Sequence, residues 1–254
     1  MKIQYCSDLH LEMIDNYKQL QHLHLKPAGN ILIIAGDFFA FRKGYKDLTW
    51  FINLYSPLYK SIYWLPGNHE YYGFSATQAD KPLKEAVADN FFLVNNITIR
   101  EGDINLIFTT LWSHILPENE LFCKEYVNDF HQIKFYQREL LRPIDFNYLH
   151  TKSLEFLSKE LRGSSDGKNI VITHHTPTFQ NYPEEYRKSK INNAFAVELN
   201  EFISNNRIHT WIYGHSHRNV PEFEIGKTKL VTNQFGYYKE KEHLSFNYEA
   251  CFDV

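Results

Sequence analysis

Short apolar runs of four to six residues, often β-branched, recur along the chain: Ile3–Cys6, Ile31–Ala35, Ile62–Leu65, Ile104–Thr109, Ile170–Thr173 and Thr210–Tyr213. Runs this short and this continuous predict strands buried on both faces. Between them the apolar spacing becomes helical. Lys46–Tyr55 carries Leu48, Phe51, Ile52 and Tyr55 one turn apart, and Lys81–Asp89 and Thr151–Leu161 read similarly. Phe195–Asn205 directs Phe195, Val197, Leu199, Phe202 and Ile203 toward a core. Near the C-terminus the helical signal fades, and Phe223–Ile225 and Lys229–Thr232, on either side of Gly226, read as a hairpin. Alternating β and α early, with antiparallel strands late, predicts a layered α/β fold of two packed sheets. No repeat, low-complexity tract or Pro/Gly/Ser linker divides the 254 residues. The expectation is a single domain over 1–254. The polar, aromatic and strandless stretch Trp112–His150 is expected to form an insertion or lid.

Composition narrows the picture. With 43% hydrophobic residues, including 20 Phe, 17 Tyr and 4 Trp, the chain can bury a large core, which excludes disorder. A formal net charge of −3 without a long basic run argues against a long nucleic-acid partner. Cys6, Cys123 and Cys251 lie far apart and match neither a disulfide framework nor a CxxC metal site, so they read as reduced thiols. The start, MKIQYCSDLHLE, turns acidic too early for a secretory signal, and the apolar runs are too short to span a bilayer. A cytoplasmic protein with no membrane partner is expected.

The chemistry-bearing residues cluster just after predicted strands, where loops of α/β folds converge on ligands. Asp8 and His10 follow the first strand, two apart and therefore on one side of an extended segment. Gly36-Asp37 follows the second and Pro66-Gly67-Asn68-His69-Glu70 the third. His174-His175 follows Ile170–Thr173, and His215-Ser216-His217 follows Thr210–Tyr213. Singly, the first four have ordinary structural explanations as capping, turn or core residues. The His-x-His pair already resembles a chelating arrangement. Together they supply Asp, His and Asn groups in excess of one tetrahedral zinc, a number suited to two metals sharing a carboxylate.

In order, SDLH, GDF, GNHE, THHTP and GHSH resemble the D-x-H, GD, GNH[DE], H and GHxH blocks of the calcineurin-like metallophosphoesterase superfamily. The likeness covers roughly residues 1–70 and 170–235. TTLWS (109–113), VNDF (127–130) and NQFGY (233–237) are similar to a little-characterised bacterial branch. The resemblance implies a four-layer α/β-β/α sandwich with metals at the sheet edge. It implies that Asp8, His10, Asp37 and His217 hold one metal and Asp37, Asn68, His174 and His215 the other, with Asp37 bridging. His174 is taken over His175 because the family's ligand is usually the first His after this strand.

Two cations about 3.5–4 Å apart generate hydroxide near neutrality and offset charge on the phosphoryl oxygens. His69 is assigned to the leaving-group side. Glu70 either orients His69 or a neighbouring loop, or is purely structural. Mixed imidazole and oxygen donors favour Mn, Fe, Zn or Co over Mg or Ca.

The expected substrate is a small or medium phosphate ester, diester or monoester. A nuclease and a noncatalytic scaffold are the competing readings. His22, His24, His114, His131, His150, His209 and His243 have no ligand context, although His114 and His131 fall in the expected insertion. Tyr182–Lys188 reads as a solvated charged loop or as a cover for the site. Gly236-Tyr237 reads as a turn near the metals or as a core tyrosine. No Walker loop, Gly-x-Ser-x-Gly elbow or Cys nucleophile motif is present.

Overall fold

The structure is a computed structural model that describes residues 1–136, 139–163 and 167–254. In chain order the strands are β1 (Lys2–Cys6), β2 (Ile31–Ala35), β3 (Ser61–Leu65), β4 (Leu83–Ala88), β5 (Phe91–Asn95) and β6 (Ile97–Glu101), then β7 (Ile104–Phe108), β8 (Lys168–Ile172), β9 (Thr210–Tyr213), β10 (Phe223–Ile225), β11 (Thr228–Thr232) and β12 (Cys251–Asp253). The helices are α1 (Ile14–His22), α2 (Thr49–Tyr55), α3 (Glu120–Tyr126), α4 (Asp129–Gln132), α5 (Pro143–Gly163) and α6 (Asn200–Asn205).

Two six-stranded sheets result, ordered β12-β1-β2-β3-β5-β4 and β10-β11-β9-β8-β7-β6. The interior strands of each run parallel, and the four outermost strands pair antiparallel. Alternation along each strand sends one set of side chains between the sheets and the other outward. Ile3, Ile33, Leu65 and Val94 meet Leu106, Ile172, Ile212 and Val231 across the inter-sheet layer. Leu32, Ile34, Trp64 and Phe91 pack outward under Phe51 and Tyr55 of α2. Val171, Trp211 and Leu230 of the second sheet pack under Leu157 and Leu161 of α5 and Ile203 of α6. Each fully buried side chain of this size contributes roughly 1.5–3 kcal/mol. The four-layer α/β-β/α sandwich is thereby formed, and it brings the ends of β1, β2, β3, β8 and β9 to one edge.

Several elements differ from the sequence reading. Lys81–Asp89 is not a helix; it contains strand β4, paired antiparallel with β5 from Leu83↔Asn95 onward with a bulge near Ala86–Ala88. Leu83 and Val87 pack on the first core while Lys84 and Glu85 are exposed, so edge-strand pairing overrides a weak helical spacing. Only Asn200–Asn205 of Phe195–Asn205 is α-helical. Residues 195–199 instead lie beside Thr176 and Pro177, whose carbonyls accept the Val197 and Leu199 amides. The helix read from Thr151 begins at Pro143, where proline sets the first turn and Asp145 accepts the Arg142 amide at 3.1 Å. Strands β5, β6 and β12 lie outside the apolar runs that mark strands in the sequence.

Within Trp112–His150, residues 137–138 lie outside those described. The remainder holds α3, α4 and the start of α5, and Trp112, Cys123, Phe130, Phe146 and Leu149 form a further apolar cluster with Tyr71. Among the described residues no helix is long and apolar enough to cross a membrane.

Candidate metal centre

Three of the strand-end turns, those after β1, β2 and β9, are strained in a common way. Asp8, His10, Asp37, His215 and His217 all have left-handed backbone, with φ of 57°, 45°, 52°, 78° and 51°. Non-glycine residues adopt this region rarely, and when they do the cost is concentrated at functional sites. Neighbouring backbone holds the turns: the Asp8 amide donates to Gly36 O, His10 to Asp37 O, and Gly236 to Asp8 O. Glycine permits the close approach at two points. A Cβ at Gly36, itself at φ 92°, would lie 2.2 Å from His174 Nδ1. One at Gly67 would lie 2.2 Å from Asp37 Oδ1.

Side-chain atoms from all five turns consequently meet. His10 Nε2 lies 3.0 Å from His217 Nε2 and 3.7 Å from Asp37 Oδ2, and His217 Nε2 lies 3.4 Å from Asp8 Oδ1. On the other side of Asp37, His174 Nε2 lies 3.3 Å from Asp37 Oδ1, 3.1 Å from Asn68 Oδ1 and 3.1 Å from His215 Nδ1. Among the described residues three groups could hold a metal: His10/Glu12/His69, and the two that meet at the middle carboxylate, Asp8/His10/Asp37/His217 and Asp37/His174/His215. Asp37 belongs to both of the last two.

Each of three imidazoles is fixed by a partner on Nδ1, leaving Nε2 to face inward. His10 uses Glu12 at 3.1 Å, His174 donates to Ala35 O at 3.0 Å, and His217 uses Glu242 at 2.7 Å. His215 faces inward with Nδ1 instead, and its buried Nε2 has no partner among the described residues. His175 is buried beside Trp112, Phe146 and His215 and lies outside these groups, with both ring nitrogens unpartnered among the described residues.

The electrostatics are those of buried carboxylates facing buried imidazoles. Burial alone would raise Asp37 and lower His174. Their proximity reverses both, holding Asp37 well below its ordinary value and pushing His174 up to about 9. Burial likewise works against His217, but the bonds to Asp8 and Glu242 push it up to about 10.

Glu70, fully buried, takes its hydrogen bonds from backbone amides and an indole. Its carboxylate accepts the amides of Phe38 at 2.7 Å, Gly67 at 2.7 Å and Asp37 at 3.1 Å, and Trp64 Nε1 at 2.8 Å. It clamps the Asp37 turn to the Asn68 turn.

Four further groups in the site escaped the sequence reading in whole or part. Glu12 lies 3.4 Å from His69 Nδ1 as well as beside His10. Glu242 holds His217. Asp129 accepts from Asn68 Nδ2 at 2.8 Å and from Tyr72 hydroxyl at 2.9 Å. This fixes the Asn68 carboxamide with its oxygen toward His174, and Tyr72 stacks on His69 at 4.0 Å. Tyr237 has its hydroxyl 3.3 Å from His69 Nε2 and its ring against His10 and His217, so the Gly236-Tyr237 turn belongs to the site. Glu12, two residues beyond His10, and the VNDF and NQFGY segments that carry Asp129 and Tyr237 were the available sequence signals; Glu242 comes from a distant segment with none.

The histidines outside the five turns stay outside the centre. His150 is buried with Nδ1 on Trp112 O at 2.5 Å, His114 packs on it, and His131 contacts Glu125 O. The charged loop at 182–188 is no bystander: Tyr182 and Tyr186 line a cavity of about 340 Å³ in front of Asp37, Asn68, His69, His215 and His217.

Residues 1–219 match the family described as calcineurin-like phosphoesterase. An uncharacterized protein of Acanthamoeba polyphaga mimivirus is 32% identical over 277 residues, spanning 99% of this chain and 96% of that relative. The phosphopantetheinyl hydrolase of Mycobacterium tuberculosis superposes with a TM-score of 0.73 over 100% of this chain and 95% of that one. At 15% identity, that likeness concerns the fold.

Proposed function

Because the chain belongs to the calcineurin-like phosphoesterase family, we propose that it hydrolyses phosphate esters with two divalent cations held where the two sheets meet. The observation that carries this reading is the division of Asp37, one carboxylate oxygen toward His10 and the other toward His174. The donor set fits cations. Imidazole nitrogens converge to 3.0 and 3.1 Å of one another, and two buried carboxylates face inward. Such groups are costly to bury without positive charge at their focus.

Asp8, His10, Asp37 and His217 would hold one ion. Asp37, Asn68, His174 and His215 would hold the other. Mixed nitrogen and oxygen donors favour Mn, Fe, Zn or Co. A pair of such ions supplies an activated water and offsets phosphoryl charge.

The chain's own residues do the rest. His69 delivers a proton from Nε2 to the departing ester oxygen, while Glu12 holds its Nδ1–H and thereby its ring orientation. Burial would lower the His69 pKa, but Asp37 and Glu12 raise it, which keeps the acid form available. Asp129 fixes the Asn68 amide, and through it the segment 112–150 is coupled to the centre as a lid over the single domain. The three free cysteines suit a reducing, cytoplasmic setting.

The test is metal analysis of the purified protein joined to assays of p-nitrophenyl phosphate and bis(p-nitrophenyl) phosphate with each ion. Preference between the two separates phosphatase from phosphodiesterase. Turnover that survives complete chelation, or is absent with every ion, overturns the proposal.

A further inference from the structure

We infer that the site takes esters bearing a single phosphate and an uncharged, planar organic group, and that it turns away ligands carrying a second phosphate. The inference rests on the hydrolase reading for where the phosphate sits; the remainder comes from the cavity in front of the centre.

That cavity, about 340 Å³, has the size of a small-ligand site. Its walls are aromatic. Tyr72, Tyr126, Tyr182, Tyr186 and Phe195 line it. Phe195 lies nearly parallel to the His215 ring at 5.0 Å, as Tyr72 does to His69, so flat surfaces continue outward from the centre. Tyr126 and Tyr186 are 64% and 36% exposed. Neither ring is needed to fill a core, yet both stand at the cavity. Large exposed aromatic surface lining a concave site is the arrangement that stacks a planar ligand. Asn128 and Ser189 also line the cavity, so neutral polar groups are at hand for the edge atoms of a heteroaromatic ring.

Charge sets the second half of the inference. Among the described residues no Lys or Arg lines the cavity, whereas Asp129 and Glu242 do. The neighbouring Arg218 is engaged by Glu185 at 3.1 Å and lies 5.9 Å from the Tyr186 ring. A second phosphate on the organic group would be desolvated beside carboxylates with no cation to meet it.

Binding to the Mn-loaded protein, measured by titration calorimetry, tests this without requiring turnover. Three probes share one primary phosphate: ribose 5-phosphate, adenosine 5′-monophosphate and adenosine 3′,5′-bisphosphate. The monophosphate should bind on the order of 10-fold more tightly than ribose 5-phosphate, the scale of one base stacked on an aromatic side chain. The bisphosphate should bind more weakly than the monophosphate. Tyr126→Ala and Tyr186→Ala, both at exposed positions, should bring the first ratio toward one. Equal affinity for the ribose and adenosine monophosphates, or tighter binding of the bisphosphate, overturns the inference. The predicted preference without hydrolysis of any ester would sink the hydrolase reading and leave the inference standing. Turnover of the chromogenic esters without the preference would do the reverse.

Discussion

At the floor of the site, Asp8, Asp37, His10 and His174 are buried, sit on or beside left-handed turns and are tied to backbone of other strands. At its roof, Tyr126 and Tyr186 are exposed and lie on or beside short helical segments. The floor is built of charges that require one another; the roof is built of rings that each stand largely alone. Loss of a floor group leaves its buried neighbours uncompensated, so damage there should spread. A roof ring can be removed with consequences confined to what it touches.

The sharpest way to break this contrast is Asp37→Asn. It should lose at least one metal and lower kcat/KM on the order of 10³-fold or more, because both proposed ion positions would share that carboxylate. Elemental analysis and steady-state kinetics read the two effects; a variant retaining both ions and full rate would refute the shared position. His69→Ala should keep its metal and lower kcat by about 10²–10⁴-fold, the range of a lost general acid. Metal loss in that variant would instead make His69 part of the floor's ligand network.

The junction between the regions should respond to acid. Burial, opposed by the bond to Trp112 O and reinforced by His114, pushes the His150 pKa down to about 4 from 6.5. The folded state therefore binds fewer protons here than the unfolded state between those values, and stability falls as pH drops through that window. The loss approaches about 3 kcal/mol near pH 4. His150→Leu should make the fall in Tm between pH 6.5 and 4 shallower, and an unchanged slope would remove His150 as its source.

Asp129→Ala reaches the floor from the roof. It should weaken apparent Mn affinity by about 10–100-fold, as loss of a ligand's orienting partner does, with the fold intact by circular dichroism. The smallest effect is expected for Tyr126→Ala, whose unfolding free energy should stay within about 0.5 kcal/mol of the parent. A larger loss would show that the exposed ring is structural after all.

This division also governs what the sequence discloses. The floor is written locally, as an apolar strand followed at once by glycine, carboxylate, amide or imidazole. The convergence of Asp8, Asp37, Asn68, His174 and His215 was therefore legible before any coordinates. The buried strands β2, β3, β8 and β9 were legible for the same reason. Edge strand β4 was not, since only one face is partly covered and its spacing imitates a helix. Glu242 could not be assigned, because it acts on a residue 25 positions away and nothing near it marks the partnership; Asp129 stands in the VNDF segment, yet the residue it holds lies 61 positions away. Tyr186 reads as part of either a solvated charged loop or a cover for the site, and the fold turns it toward the cavity.

Glu70 carries one more implication. With a single side chain gripping the turns that bear Asp37 and Asn68, these segments are mechanically one piece, and a disturbance to either travels to its mate. Ion occupancy ought then to follow an all-or-none course during stepwise chelation, with half-filled protein scarce. Substituting a shorter or weaker acceptor at this position would let the two seats empty independently.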